Sequence, residues 1–281
     1  MRTTAQNGEL ALLLEVTGTP KPGNVDRHHE YDDLRFEHFV AGAVGSQAGL
    51  RAAADPDGPG VGDAFETAVE GMSGQRGGNT QFGALLLVTP LVRASAREDT
   101  ALSPAGAETV VEGTTVEDAA GFYRAFEHVD VAVDDPPESM EALDVRRGGD
   151  AVPELVERGL SLADVMERSA DGDGVAREWT TGFERGFGAA ERLGELDGPV
   201  ADRASQVFLE LLAAEPDTFV AINHDQETAE EVSERAAAVL AGEEDADALG
   251  AEFIERGVNP GTTADIVAAA LFVALERGLE I

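Results

Sequence analysis

The chain has 281 residues, with 55 acidic side chains against 20 basic ones, a formal net charge of -35, and no cysteine. Lack of cysteine excludes disulfides, Cys-ligated zinc and thiol nucleophiles, and no apolar stretch reaches the roughly 18 residues a membrane span needs. The acid is spread in runs no longer than triplets such as Glu243-Glu244-Asp245, the pattern of a solvated surface in a salt-adapted cytoplasm, where a Debye length of about 3 Å at molar salt removes most self-repulsion. Neither nucleic acid nor a membrane is an expected partner.

In chain order, residues 1–10 lack a signal-peptide layout. The first break in helical patterning, residues 18–26, holds the string Pro20-Lys21-Pro22-Gly23-Asn24-Val25-Asp26. Lys21 is the only lysine; the other 19 basic residues are arginine. A compact ammonium kept between two prolines, which fix φ, points to a presented cation with a specific task. Helical spacing of apolar residues follows at 36–53, 84–96, 116–131, 175–193 and 229–240. Val200, Ala204, Val207, Phe208, Leu211 and Leu212 share one helix face, and Val267, Ala270, Leu271, Ala274 and Leu275 another. The last helix is expected to start at Thr262 or Thr263. Strand-like alternation is scarce, which predicts an all-α, single-domain bundle of about ten helices over residues 1–281.

Breaks at 55–62 and at Pro136-Pro137 with its acidic neighbours read as surface linkers. Three others pair glycine with Asn, Lys or Asp: the Lys21 loop, Gly77-Gly78-Asn79-Thr80-Gln81-Phe82-Gly83, and Asn259-Pro260-Gly261-Thr262-Thr263-Ala264-Asp265. Glycine lets backbone approach a ligand and a following helix offers free N–H groups to an anion, so together they suggest a phosphate-rich ligand. No P-loop ending and no strand-linked Gly-x-Gly-x-x-Gly is present. Asp171-Gly172-Asp173-Gly174 places Val175 where a calcium loop needs a ligand, and the adjacent His28 and His29 read as a hydrated loop.

Leu14-Glu15 with the Lys21 string, Gly78-Asn79-Thr80 with Gly83, Asp217-Thr218, and Asn259-Pro260-Gly261 with Ala264-Asp265 resemble, in order and spacing, the triphosphoribosyl-dephospho-coenzyme A synthase family. The resemblance implies an all-helical fold and a reaction in which ATP gives its triphosphoribosyl group to the 2'-hydroxyl of 3'-dephospho-coenzyme A and releases adenine. It implies Glu15, Lys21 and Asp26 as catalytic residues, and Lys21, Gly23, Asn24, Gly78, Asn79, Thr80, Asn259 and Gly261 as nucleotide-binding ones. Mg2+ would sit on Asp26 and Asp265, beside a small-molecule acceptor, with a homodimer left open. Cleavage at the ribose carbon builds oxocarbenium character, which carboxylates stabilise while one protonates the leaving base.

Two departures stand out. Where the family usually carries a histidine and a lysine, this chain has Gln81 and Phe82, and after Asp217-Thr218 it has Ile222 and Asn223 before His224. Loss of two charged contacts, each about 1.5–3 kcal/mol, weakens triphosphate binding unless Arg76 or His224 compensates. The altered loop, the apolar run 84–91, and the stretch 169–183 with Asp173, Arg177, Glu178 and Trp179 are similar to a divergent branch associated with pterin-type one-carbon cofactors. That leaves a pterin-pathway enzyme and a non-catalytic nucleotide-binding protein as alternatives.

Overall fold

The computed structural model describes residues 2–97, 101–136 and 138–281; of the linker prolines, Pro137 lies outside the described residues. In chain order the helices are α1 (Thr4–Thr17), α2 (Phe36–Gly45), α3 (Gln47–Ala54), α4 (Val61–Met72), α5 (Phe82–Ala96), α6 (Pro104–Glu112), α7 (Val116–Ala125) and α8 (Val152–Arg158). They continue as α9 (Leu162–Ser169), α10 (Gly174–Thr180), α11 (Glu184–Glu195), α12 (Val200–Ala214), α13 (Thr218–Asn223), α14 (Gln226–Leu240), α15 (Ala246–Arg256) and α16 (Gly261–Glu276). Two 3-10 segments, Glu138–Leu143 and Val145–Ala151, precede α8. The fold class is all-α among the described residues, with no strand.

The expectation of about ten helices is corrected to sixteen among the described residues. Amphipathic patterning runs through tight turns that end one helix and start the next on the same face. The stretch 36–53 divides at Ser46, whose hydroxyl donates to the Ala43 carbonyl at 2.8 Å. The stretch 175–193 divides where Gly182 and Phe183 both turn left-handed, at φ 64° and 60°. Such backbone is costly for phenylalanine, and complete burial of the ring offsets that cost.

α5 and α16 form the centre. Both are apolar on nearly every face and buried along most of their length, as expected of helices enclosed by others. They pack on each other, α16 also on α1, α11 and α12, and α5 on α3 and α4. One large apolar cluster draws on nearly every helix. No helix among the described residues is long and apolar enough to cross a membrane. The packing brings the N-termini of α5 and α16 side by side, and the site is built there.

Candidate active site

The Lys21 loop is turned inward. Lys21 is fully enclosed, its Nζ bonded to a Glu15 carboxylate oxygen of α1 and to Asn24 Oδ1 at 2.9 Å, with the Phe208 ring 5.9 Å away. The expectation that the prolines present this ammonium outward is therefore corrected. Burial pushes the Glu15 carboxyl up, against the lowering effect of Lys21. Asp26 organises the loop: its carboxylate accepts from the backbone N–H of Lys21 at 3.0 Å, His28 at 2.7 Å and His29 at 2.9 Å. Asn24 Nδ2 donates to Asn259 Oδ1 at 2.9 Å, and Tyr31 Oη donates to the Gly23 carbonyl at 2.6 Å. Gly23 stands at φ 78°, and a Cβ there would meet the Val258 carbonyl at 2.2 Å. Only glycine allows the first and last motifs to dock this closely.

The α16 N-terminus starts at Gly261, one or two residues before the expected Thr262 or Thr263. Its cap comes from far along the chain: Asp217 accepts from Thr263 N at 2.8 Å and Thr263 Oγ1 at 2.7 Å, and from Val220 N of α13 at 3.1 Å. Thr218 Oγ1 lies 3.0 Å from Thr262 Oγ1 and accepts from Gly174 N at 3.0 Å. Asp173 Oδ1 caps α10 through Val175 N at 2.8 Å. Asp265, one turn into α16, receives the Ala84 backbone N–H of α5. Gly83 makes room for it, since a Cβ there would lie 2.0 Å from Asp265 Oδ2.

These residues border a cavity of about 650 Å³ whose lining combines Asn79, Gly83, Asp173, Thr218, Thr262 and Asp265 with the apolar Phe82, Phe122, Phe126 and Ile222. Asp134, Asp135 and Asp144 add three more carboxylates, and Arg168 is the one basic side chain among its lining residues. So the acidic linker before Pro137, read as surface, borders the cavity. Asp265 and Asp173 are set deep but keep part of their surface accessible. Desolvation pushes both carboxyls up, Asp265 well above its ordinary 3.8, with Glu15, Asp217 and Asp173 adding repulsion. Among the described residues no group of three or more histidine or acidic side chains is arranged to hold a metal unaided.

A more open groove of about 500 Å³ adjoins, lined by Tyr31, Asp33, Leu34, Gly77, Asn223, His224, Gly257 and Asn259. Phe219 borders both spaces. Of the residues expected from sequence, Asn79, Gly83 and Asp265 line the cavity and Asn259 the groove, whereas Glu15, Lys21, Asn24 and Asp26 lie behind them. Gly78, at φ 67°, links Gly77 to Asn79, and Gly261 lies under the Phe219 ring. Thr80 Oγ1 is buried without a hydrogen-bond partner. Gln81 turns into the core and donates to the Leu12 carbonyl at 3.2 Å, while Phe82 stacks edge-on with Phe65 and Phe126 at 5.0 and 4.8 Å. Gln81 is thus a packing position, whereas Phe82 packs on its aromatic neighbours and also lines the cavity, where the family's basic group is replaced by an apolar ring. Arg76, on the exposed loop, lines neither space, and His224 is tied to the Gly257 carbonyl at 3.1 Å.

The charge pattern carries a pH prediction. Asp265, Asp217 and Asp173 all have folded pKa values raised by burial above the ordinary 3.8. The folded state holds their protons more tightly, so their contribution to stability is present below the unfolded value and is lost as pH rises through the folded one. Thermal melts of the ligand-free protein in molar KCl should give a higher Tm at about pH 5 than at about pH 8. A Tm that rises with pH over this range would mean that these carboxyls are ionised and paired in the folded chain.

Fold and cavity together define an all-α protein with partly buried carboxyls set at two helix N-termini in a space of nucleotide size. The sequence profile of the family described as ATP:dephospho-CoA triphosphoribosyl transferase matches residues 1–280, and the chain belongs to that family of transferases. No curated protein sequence matches at a comparable level. Among solved structures, a candidate triphosphoribosyl-dephospho-coA synthase from Archaeoglobus fulgidus is similar at 23% identity and a TM-score of 0.67, over 85% of this chain and 99% of that one. At that identity the likeness speaks for the fold.

Proposed function

We propose that the chain, working as one domain, transfers the triphosphoribosyl group of ATP to the 2'-hydroxyl of 3'-dephospho-coenzyme A and releases adenine, with the chemistry placed at Asp265. The observation that carries this reading is a deep carboxyl, held above its usual range, that borders the cavity in a chain matched end to end by this family. The acceptor oxygen attacks the ribose C1' as the C1'–N9 bond breaks. The bonding electrons leave with adenine, which takes a proton, and the hydroxyl proton is accepted by a carboxylate.

Asp265, whose carboxyl desolvation pushes well above its ordinary range, is suited to deliver the proton to the departing base. Asp173 uses Oδ1 for its cap, and its second oxygen provides negative charge for the oxocarbenium-like ribose. The donor set suits Mg2+ bound through one or two carboxylates and substrate phosphates rather than in a complete protein cage. Asp173 would hold it together with the substrate phosphates, and it would offset the triphosphate's charge against the acidic wall. Asn79 and the backbone N–H groups of Gly83 and Thr262 orient phosphate oxygens, the other first-turn N–H groups being held by Asn79, Asp265, Asp217 and turn carbonyls. Glu15, Lys21, Asn24 and Asp26 position the loop that braces the α16 entry through Asn259. We place the protein in a salt-adapted cytoplasm on the strength of its dispersed acid.

Incubation with ATP, Mg2+ and dephospho-coenzyme A in molar KCl, followed by chromatography, should show free adenine and an acceptor heavier by one triphosphoribosyl group. Adenine appearing only with a pterin precursor would move the enzyme to that pathway, and binding of ATP without turnover on any acceptor would leave a binding protein. Gly83→Ala offers a local check. Its methyl would force Asp265 to turn away, so turnover should drop at least tenfold while Tm stays within a few degrees. Full turnover in that variant would remove Asp265 from the chemistry.

A further inference from the structure

Resting on the proposed transfer reaction, we infer that the more open groove is the acceptor subsite, that the larger, less open cavity holds ATP, and that Phe219 is the wall both substrates touch. The reaction needs two nucleotides to meet at one ribose carbon, and the described residues offer two adjoining spaces. They are about 500 and 650 Å³, and Phe219 borders both. The two rims also meet at one loop, since Gly77 lines the groove and Asn79, two residues on, lines the cavity.

Charge and shape decide which substrate goes where. The cavity carries Asp134, Asp135, Asp144, Asp173 and Asp265, whereas the groove carries Asp33 as its one carboxylate. Carboxylates that stabilise the oxocarbenium-like donor ribose belong with ATP, which leaves the carboxylate-poor groove for the acceptor. The groove instead offers the polar side chains of Tyr31, Asn223, His224 and Asn259. It is also the more open of the two, as an acceptor with a long flexible arm requires, because only its adenosine end must reach the reacting carbon. The Phe219 ring lies against the Gly261 backbone, 3.1 Å from where a Cβ would stand. That contact fixes one face of the ring, leaving its remaining surface to pack against a ribose or a base.

Two filling variants separate the subsites. Asn223→Tyr puts a ring into the groove and Ile222→Trp puts one into the cavity, both on the short α13. Titration calorimetry with ATP alone and with dephospho-coenzyme A alone reads binding without turnover. Asn223→Tyr should weaken dephospho-coenzyme A at least tenfold and leave ATP within twofold, and Ile222→Trp should do the reverse. Phe219→Ala should weaken both. Weakening of ATP by Asn223→Tyr, or no change in either ligand, would overturn the assignment even if wild-type protein releases adenine. Absence of adenine from wild-type protein that shows this binding pattern would overturn the reaction and leave the two subsites standing.

Discussion

Replacing Lys21 by methionine is expected to destabilise the protein by about 3–5 kcal/mol, because it leaves the Glu15 carboxylate buried without its partner. Glu15 is 4% exposed and Lys21 0%, so water cannot enter to take the ammonium's place. Asn24 Oδ1 would lose its donor in the same step, and with it part of the tie to Asn259. The double variant Glu15→Gln/Lys21→Met should recover most of the loss, since a neutral pair of similar volume removes both desolvated charges. Lys21→Arg forces a larger, planar head into a filled site and should cost about 1–3 kcal/mol. Urea unfolding in molar KCl measures all three. A loss below about 1 kcal/mol for Lys21→Met would show that the loop opens readily and that the ammonium is available to a ligand.

Asp265→Asn carries the second large effect, on catalysis instead of folding. Removal of a positioned acid typically costs about 10²–10⁴ in rate, and that range is expected for adenine release. Stability should hold or rise, because Asp265 is desolvated and repelled by Glu15, Asp217 and Asp173. The asparagine amide keeps an oxygen to accept the Ala84 N–H. Loss of activity together with an unchanged or higher Tm is the signature of a group placed for chemistry at the expense of the fold. An equal fall in both would make Asp265 a helix cap only.

These two positions also show what could be read from sequence. The four motifs were legible because glycine, proline, asparagine and aspartate impose local backbone choices, and the structure joins the Lys21 loop to Asn259 and Gly83 to Asp265. Which way each side chain turned was not legible. The rule that prolines display the residue between them depends on open space, and here the Pro20 carbonyl is held by Ser205 Oγ at 2.5 Å, with Phe208 of the same helix beside Lys21 Nζ. Asp217 looked like a motif residue and acts as a cap for a helix 44 residues further on. The acidic wall from Asp134 to Asp144 arises from long-range packing, which no local pattern encodes. Helix number failed for a related reason: a turn such as Gly182-Phe183 changes direction without interrupting the apolar spacing.

The central claim is that this cavity breaks the bond between ribose and adenine, and ATP labelled with carbon-13 throughout its ribose tests it directly. After incubation with Mg2+ and dephospho-coenzyme A, mass spectrometry should find all five labelled carbons in the enlarged acceptor and none with adenine. Label retained in ADP or AMP, with ribose and adenine still joined, would show that the protein cleaves a phosphate bond and would contradict the account.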